Sequence, residues 1–213
     1  MEQKRTKDQL KAHIREKNQQ IILTAAEKVF AQHGLTKATT KMIADEAGLP
    51  KANIHYYYRS KQDLLEAVLK HIMGLWLSSI TRFSIEDGPK VSLTRYIAEK
   101  MQQSRENTDA SKIFALSLIS EEPFLLTFLQ EHFIKEMERE KQIIQTWINE
   151  GKMQVLSIEH LFISIWALTQ TYADFDAQVK LMLQKTELDE KDHAMSKQFI
   201  THMVLSSCGI TEA

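Results

Sequence analysis

Lysine, asparagine, histidine and tyrosine crowd into one short stretch, KANIHYYYRSK, at residues 51–61. Read as a helix, it sets Ile54 and Tyr58 four residues apart, so both can face a core. Lys51, Asn53, His55, Tyr56 and Tyr57 are then left to the other faces. Their chemistry suits duplex DNA. Ammonium groups neutralise phosphate, tyrosine hydroxyls bond phosphate oxygens, and Asn or His reaches base edges in a groove. The competing reading is a solvated face that happens to hold tyrosines. Three successive aromatics on a helix of about seven residues argue against it, because exposed aromatic surface is costly.

A second set lies far downstream. Phe162, Trp166, Gln170 and Asp174 follow one another at four-residue intervals, on a face that drifts slowly around a helix. Trp76 is another large aromatic that could meet this face. Two indoles flanking one amide would suit a flat polar ring, with stacking area and N–H donors from the indoles. The Gln170 amide offers a donor and an acceptor, matching a heterocyclic amide edge. Spacing alone equally allows a core tryptophan with a satisfied glutamine beside it.

The elements that must position these residues are helical. The chain has only 6 Gly and 3 Pro, and no strand-period alternation persists. A helix over 18–33 carries Ile22, Ala26, Val29 and Phe30 on one stripe, and Gly34 ends it. Thr40 is placed to cap a second helix that turns Ile43, Ala44 and Ala47 inward, with Gly48 at the turn. Pro50 suits the start of the third. Ser60 and Asp63 resemble a capping box for a fourth helix. That helix carries Leu64, Leu65, Val68, Leu69, Ile72, Met73 and Trp76, and at about 22 residues it would be roughly 33 Å long. After EDGPK at 86–90, helices are expected over 91–106, 110–120, 123–150, 157–184 and 189–207. Gly151 would stop the third of these, and Ser157 would cap the next.

Bulk properties narrow the function. Residues 1–61 hold 12 Lys and Arg against 6 Asp and Glu, a net of +6, while the remainder nets −7. A basic front end favours phosphate contact, and an acidic body stays off DNA. No uninterrupted apolar run reaches the ~18 residues of a membrane span. The charged start MEQKRTKDQLK lacks the apolar core of a signal peptide, so no membrane partner is expected. The single cysteine, Cys208, excludes an intrachain disulfide, and a reducing cytoplasm is the simplest setting. Among 8 His there is no HExxH, and GxSxG, P-loop and GxGxxG motifs are absent, so no enzyme, metal or cofactor is expected. The charge run KEMEREKQ at 135–142 fits a solvated helix face.

The helix-turn-helix pattern resembles the DNA-binding domain of the TetR family of bacterial regulators over residues 18–69. The matching features are Gly34, Thr39-Thr40, Ile43-Ala44, Ala47-Gly48, the HYYY run at 55–58, Ser60-Lys61 and Leu64-Leu65. The resemblance implies an all-α fold with three parts. These are a basic arm at 1–17, a three-helix helix-turn-helix DNA-binding domain at 18–65, and a larger helical ligand-binding and dimerisation domain at 66–213. It implies that Thr40 and Lys41 contact backbone or groove, that Lys51, Ala52, Asn53 and His55 face bases, and that Tyr56, Tyr57 and Lys61 hold phosphates. Pro50 stands where the family often has Ser, and His55 where Tyr is common; both bear on which operator is read. The implied partners are operator DNA, a small-molecule effector and a second copy of the chain, joined through the last two long helices. Leu161, Ile165, Leu168, Phe199, Met203 and Val204 are available to that four-helix interface.

Four further stretches are HIMGLWL (71–77), EEPFLL (121–126), INEGK (148–152) and IWALTQTYADF (165–175). They resemble a branch of the same family that governs pyrimidine utilisation. That resemblance implies a uracil- or thymine-type effector held by Trp76, Trp166 and Gln170, whose binding releases a repressor from DNA. Tyr172 stands in place of a His and Ser117 in place of a Glu, which changes the pocket's polarity. Three other readings compete: a regulator answering an unrelated aromatic or hydrophobic ligand, an all-helical enzyme, and a helical scaffold without effector control.

Overall fold

The computed structural model describes residues 2–78 and 83–210, with side chains placed for 12–76 and 83–210. All the regular structure among them is helical. The elements are α1 (Glu2–Lys37), α2 (Thr40–Ala47), α3 (Lys51–Tyr57), α4 (Lys61–Ser78), α5 (Gly88–Glu106), α6 (Thr108–Ile119), α7 (Pro123–Phe128), α8 (Ile134–Asn149), α9 (Ile158–Asp174), α10 (Asp176–Leu183) and α11 (Glu190–Ser207). The chain divides into two compact units. One takes the residues up to Leu75 together with Ile113–Leu125, and the other takes Trp76–Lys112 and the residues from Leu126 on.

In the first unit Ile22, Ala26, Val29 and Phe30 are all buried, as their spacing requires, beside Ile43, Ala44, Leu64, Leu65, Val68 and Leu69. Ala47 is only half-buried. The first helix begins well before residue 18, running from Glu2. Gly34 breaks its regularity with φ 74°, a left-handed conformation that glycine adopts without a Cβ penalty. The cap of α2 falls one residue earlier than Thr40. Thr39 is extended, and its Oγ1 accepts from Met42 N at 3.2 Å, which puts Thr40 inside the first turn. Gly48 closes α2 at φ 63°, and its backbone N–H returns to Ala44 and Asp45. Pro50 precedes α3 and offers no side-chain cap. Ser60 Oγ accepts from Asp63 N at 3.0 Å and donates to the Asp63 carboxylate at 2.9 Å, fixing the start of α4. That helix is described for 18 residues, and the rest of its expected length lies outside the described residues.

The second unit is built around a nest of aromatic rings. Phe83 lies 5.5 Å from Tyr96, 5.7 Å from Trp147 and 6.1 Å from Phe162, centroid to centroid. Leu93, Ile97, Ile144, Ile165, Ile200 and Leu205 complete the core. Two long helices expected from periodicity are interrupted. The segment after α7 passes through a π-helical turn, Leu129–Phe133, before α8 begins. Between α9 and α10 the chain bends at Phe175, whose φ of −120° and ψ of 36° lie outside the helical region. Ser157 caps α9 by accepting from His160 N, and Gly151 ends the turn after α8 at φ 70°. The charge run at 135–142 is not uniformly solvated. Glu140 is buried and accepts from Phe83 N at 2.9 Å, so one carboxylate of the run anchors the chain before α5.

Candidate functional site

Helix α3 shows one side chain to its core and the others outward. Ile54 is fully buried, while Lys51, Ala52 and His55 are exposed and Tyr56 keeps 74% of its surface in solvent. Asn53 is half-buried. Tyr58 follows the helix as its extended C-cap, and partial burial raises its pKa above the usual tyrosine value. The Tyr56 and Tyr57 rings meet edge to face at 5.0 Å, so each limits the other's rotamers. Asn18 of α1 donates weakly to the Tyr57 hydroxyl at 3.4 Å. On α2, Thr40 is half-buried and Lys41 exposed. An ammonium, an imidazole and a phenol are thus exposed on one short helix, the groups that direct and phosphate readout use.

Lys61 behaves differently from the other basic residues. Its ammonium donates to the carbonyls of Leu35 at 2.8 Å and Thr36 at 3.0 Å. Those carbonyls follow the Gly34 break, where helical partners are lost. Two of the three donors expected to meet phosphate therefore tie the start of α4 to the end of α1.

In the second unit Trp166 packs between two rings, with Phe133 at 5.3 Å and Phe162 at 6.0 Å. Phe133 closes the π-helical turn, the kind of irregularity that re-aims a side chain toward a site. The Trp166 Nε1–H donates to the Tyr96 hydroxyl at 2.8 Å. This indole therefore has no spare donor, and part of its ring surface is already taken by Phe133 and Phe162. One turn on, Gln170 is half-buried and its amide makes no hydrogen bond to a described residue. Asp174, next in the row, is engaged: Ser111 Oγ donates to it at 2.6 Å. Burial raises the Asp174 pKa, with Ser111 and Lys112 opposing the shift.

Trp76 is half-buried and joins this cluster through a residue that spacing did not flag. The Lys100 ammonium lies 5.9 Å from the Trp76 ring centroid and 5.8 Å from that of Tyr96. Burial pulls the Lys100 pKa down to about 8, with Glu99 opposing. Burial also pushes Tyr96 up to about 12, against its bond from Trp166 and assisted by Glu140. The signal available in the sequence was the Tyr96–Lys100 spacing of four on one helix, which every amphipathic helix shares. Tyr172 packs against the same core. Ser117, in the first unit, is buried with its hydroxyl unpartnered among the described residues.

A family model described as bacterial regulatory proteins of the tetR family matches residues 22–68, and one described as the C-terminal region of YcdC-like proteins matches 69–211. The chain belongs to the TetR family. The HTH-type transcriptional regulator RutR of Escherichia coli K12 is 34% identical over 169 residues, covering 79% of this chain and 80% of that one. A tetR-family regulator from Rhodococcus RHA1 superposes with a TM-score of 0.74 at 18% identity, over 92% of this chain and 99% of that one. The FadR regulator of Bacillus subtilis, solved with stearoyl-CoA, gives 0.63 at 17% identity, over 88% and 98%. These two share the fold. This TetR-family chain is a transcriptional regulator and not an enzyme, and α1–α3 form its DNA-binding helix-turn-helix. No single helix among its described residues is long and apolar enough to cross a membrane.

Proposed function

We propose that this regulator is a homodimeric repressor, released from its operator by a small planar effector of the pyrimidine type, uracil or thymine. Lys41, Lys51, Ala52, Asn53, His55, Tyr56 and Tyr57 form the DNA-reading surface, and Trp76, Trp166 and Gln170 hold the effector. The observation that carries the effector reading is the Gln170 amide. It is half-buried beside a stacked indole and lacks a hydrogen bond to any described residue. The amide is not among the buried polar atoms left without a partner, so it stays open to solvent and to the edge of a ligand. The likeness of 165–175 to the pyrimidine-utilisation branch supports the choice of ring.

The second copy would dock on α9 and α11. Between them runs a groove of about 540 Å³ lined by Leu161, Ser164, Ala167, Leu168, Met203 and Val204. Phe199, 65% exposed, and Ile163 lie on the same two helices. Two copies would read paired half-sites about one DNA turn apart, or a multiple of it. Release requires the effector to favour the DNA-incompetent shape, and DNA must then weaken effector binding by the same factor. The test is a gel shift on the DNA upstream of the coding region, with and without uracil or thymine, and with Gln170→Leu as control. Loss of the shift with either base, restored by the substitution, supports the reading. A shift indifferent to both bases removes the pyrimidine effector.

A further inference from the structure

We propose that Lys100 reads charge in the effector site, so that a planar ring carrying an anionic edge binds there more tightly than its neutral counterpart, with that edge set against the Lys100 ammonium. This rests on the reading of Trp76, Trp166 and Gln170 as the effector site. Lys100 projects from α5 and lies within 6 Å of two aromatic rings, those of Trp76 and Tyr96. Tyr96 in turn accepts from the Trp166 indole, so the cation lies over Trp76 and over the ring that holds Trp166. Among the described residues its one hydrogen bond is to Gln103 Oε1 on its own helix, at 3.5 Å, the outer limit for such a bond. No carboxylate among the described residues pairs with it; Glu99 acts only at longer range.

A desolvated ammonium is costly unless a counter-charge or good acceptors replace the displaced water. Two ring faces compensate in part. The Lys100 side chain is half-buried overall, and the burial pulls its pKa down to about 8, well below the ordinary lysine value. A ligand carrying a carboxylate or an ionised ring nitrogen would supply the missing partner, while its ring lies on the aromatic surface and its amide edge meets Gln170. A neutral ring of the same shape would leave the cation as it is. The difference between the two is one charge-assisted hydrogen bond, about tenfold or more in affinity.

The experiment uses the full-length protein and two matched pairs of planar probes: uracil with its 6-carboxylate, and benzamide with benzoate. Calorimetry gives dissociation constants for wild type, K100M and K100R. The expected result is that the carboxylate of at least one pair binds at least about tenfold tighter than its neutral partner. K100M removes that preference and K100R keeps it within a few-fold. K100M should melt at or above the wild-type temperature, since it deletes a poorly paired cation. Three results overturn the proposal: neutral probes binding as tightly as their carboxylates, none of the four binding, or K100M keeping the preference. Uracil silent with benzoate bound through Lys100 would sink the pyrimidine reading alone. Uracil bound without charge preference would sink the Lys100 proposal alone.

Discussion

Replacing Lys61 with methionine separates two jobs that a basic residue near DNA can do. Its ammonium commits two donors to the Leu35 and Thr36 carbonyls, at 2.8 and 3.0 Å. A hydrogen bond from a charged donor contributes about 1.5–3 kcal/mol where it is buried. Lys61 is half-exposed, so solvent reduces the pair to about 1–2 kcal/mol in total. K61M should therefore lower the unfolding free energy of the helix-turn-helix unit by that amount. Operator affinity should fall by a similar factor at every salt concentration. K51M is the contrast. Lys51 is exposed, so its removal should leave stability within about 0.5 kcal/mol. It should instead flatten the dependence of log K on log salt by about 0.9 for each phosphate that a protomer no longer neutralises. Urea unfolding gives the first quantity, and fluorescence anisotropy of labelled operator from about 50 to 200 mM salt gives the second. If K61M flattens the salt slope as much as K51M while the urea midpoint stays put, Lys61 reads phosphate and the strut argument is wrong.

Thr39→Ala should cost about 1 kcal/mol through loss of the α2 cap, whereas Thr40→Ala leaves the cap in place; equal urea midpoints for the two would refute the assignment. Tyr96→Phe strands the Trp166 N–H and should cost about 1–2 kcal/mol, with a change in near-UV circular dichroism and no change in operator affinity; an unaltered indole signal would refute the bond. Lys100 makes stability depend on pH, with a definite sign. Its folded pKa of about 8 lies below the usual value of 10.5, so between those values the unfolded chain holds more protons and stability rises with pH. Thermal melts of wild type and K100M should show the variant ahead near pH 7 and the gap closing by about pH 10; a constant gap would mean the Lys100 ammonium is well solvated.

What the sequence revealed, and what it hid, follows from how local each determinant is. The stripe Ile22, Ala26, Val29 and Phe30 and the turn at Gly48 are decided by neighbours three or four residues away, and each was found as expected. The cap of α2 slipped from Thr40 to Thr39 because both residues can cap and only the extended backbone at Thr39 distinguishes them. The breaks at Leu129–Phe133 and Phe175 carry no Gly or Pro. Periodicity runs through them because no helix-breaking residue type marks either one. Glu140 reads as solvated from sequence, and the contacts of Lys61 and Lys100 are invisible there, for a common reason. Their partners, Phe83, Leu35 with Thr36, and Trp76, lie 57, 26 and 25, and 24 residues away in sequence. A charged residue on a helix reads as solvated by default, and only a distant backbone group or ring draws it, wholly or in part, out of solvent. For the effector site this matters most. The tryptophans and the glutamine announce a place for a flat ring, but the charge that such a ring should carry is written in Lys100, which becomes informative only once α5 is folded beside Trp76 and Trp166.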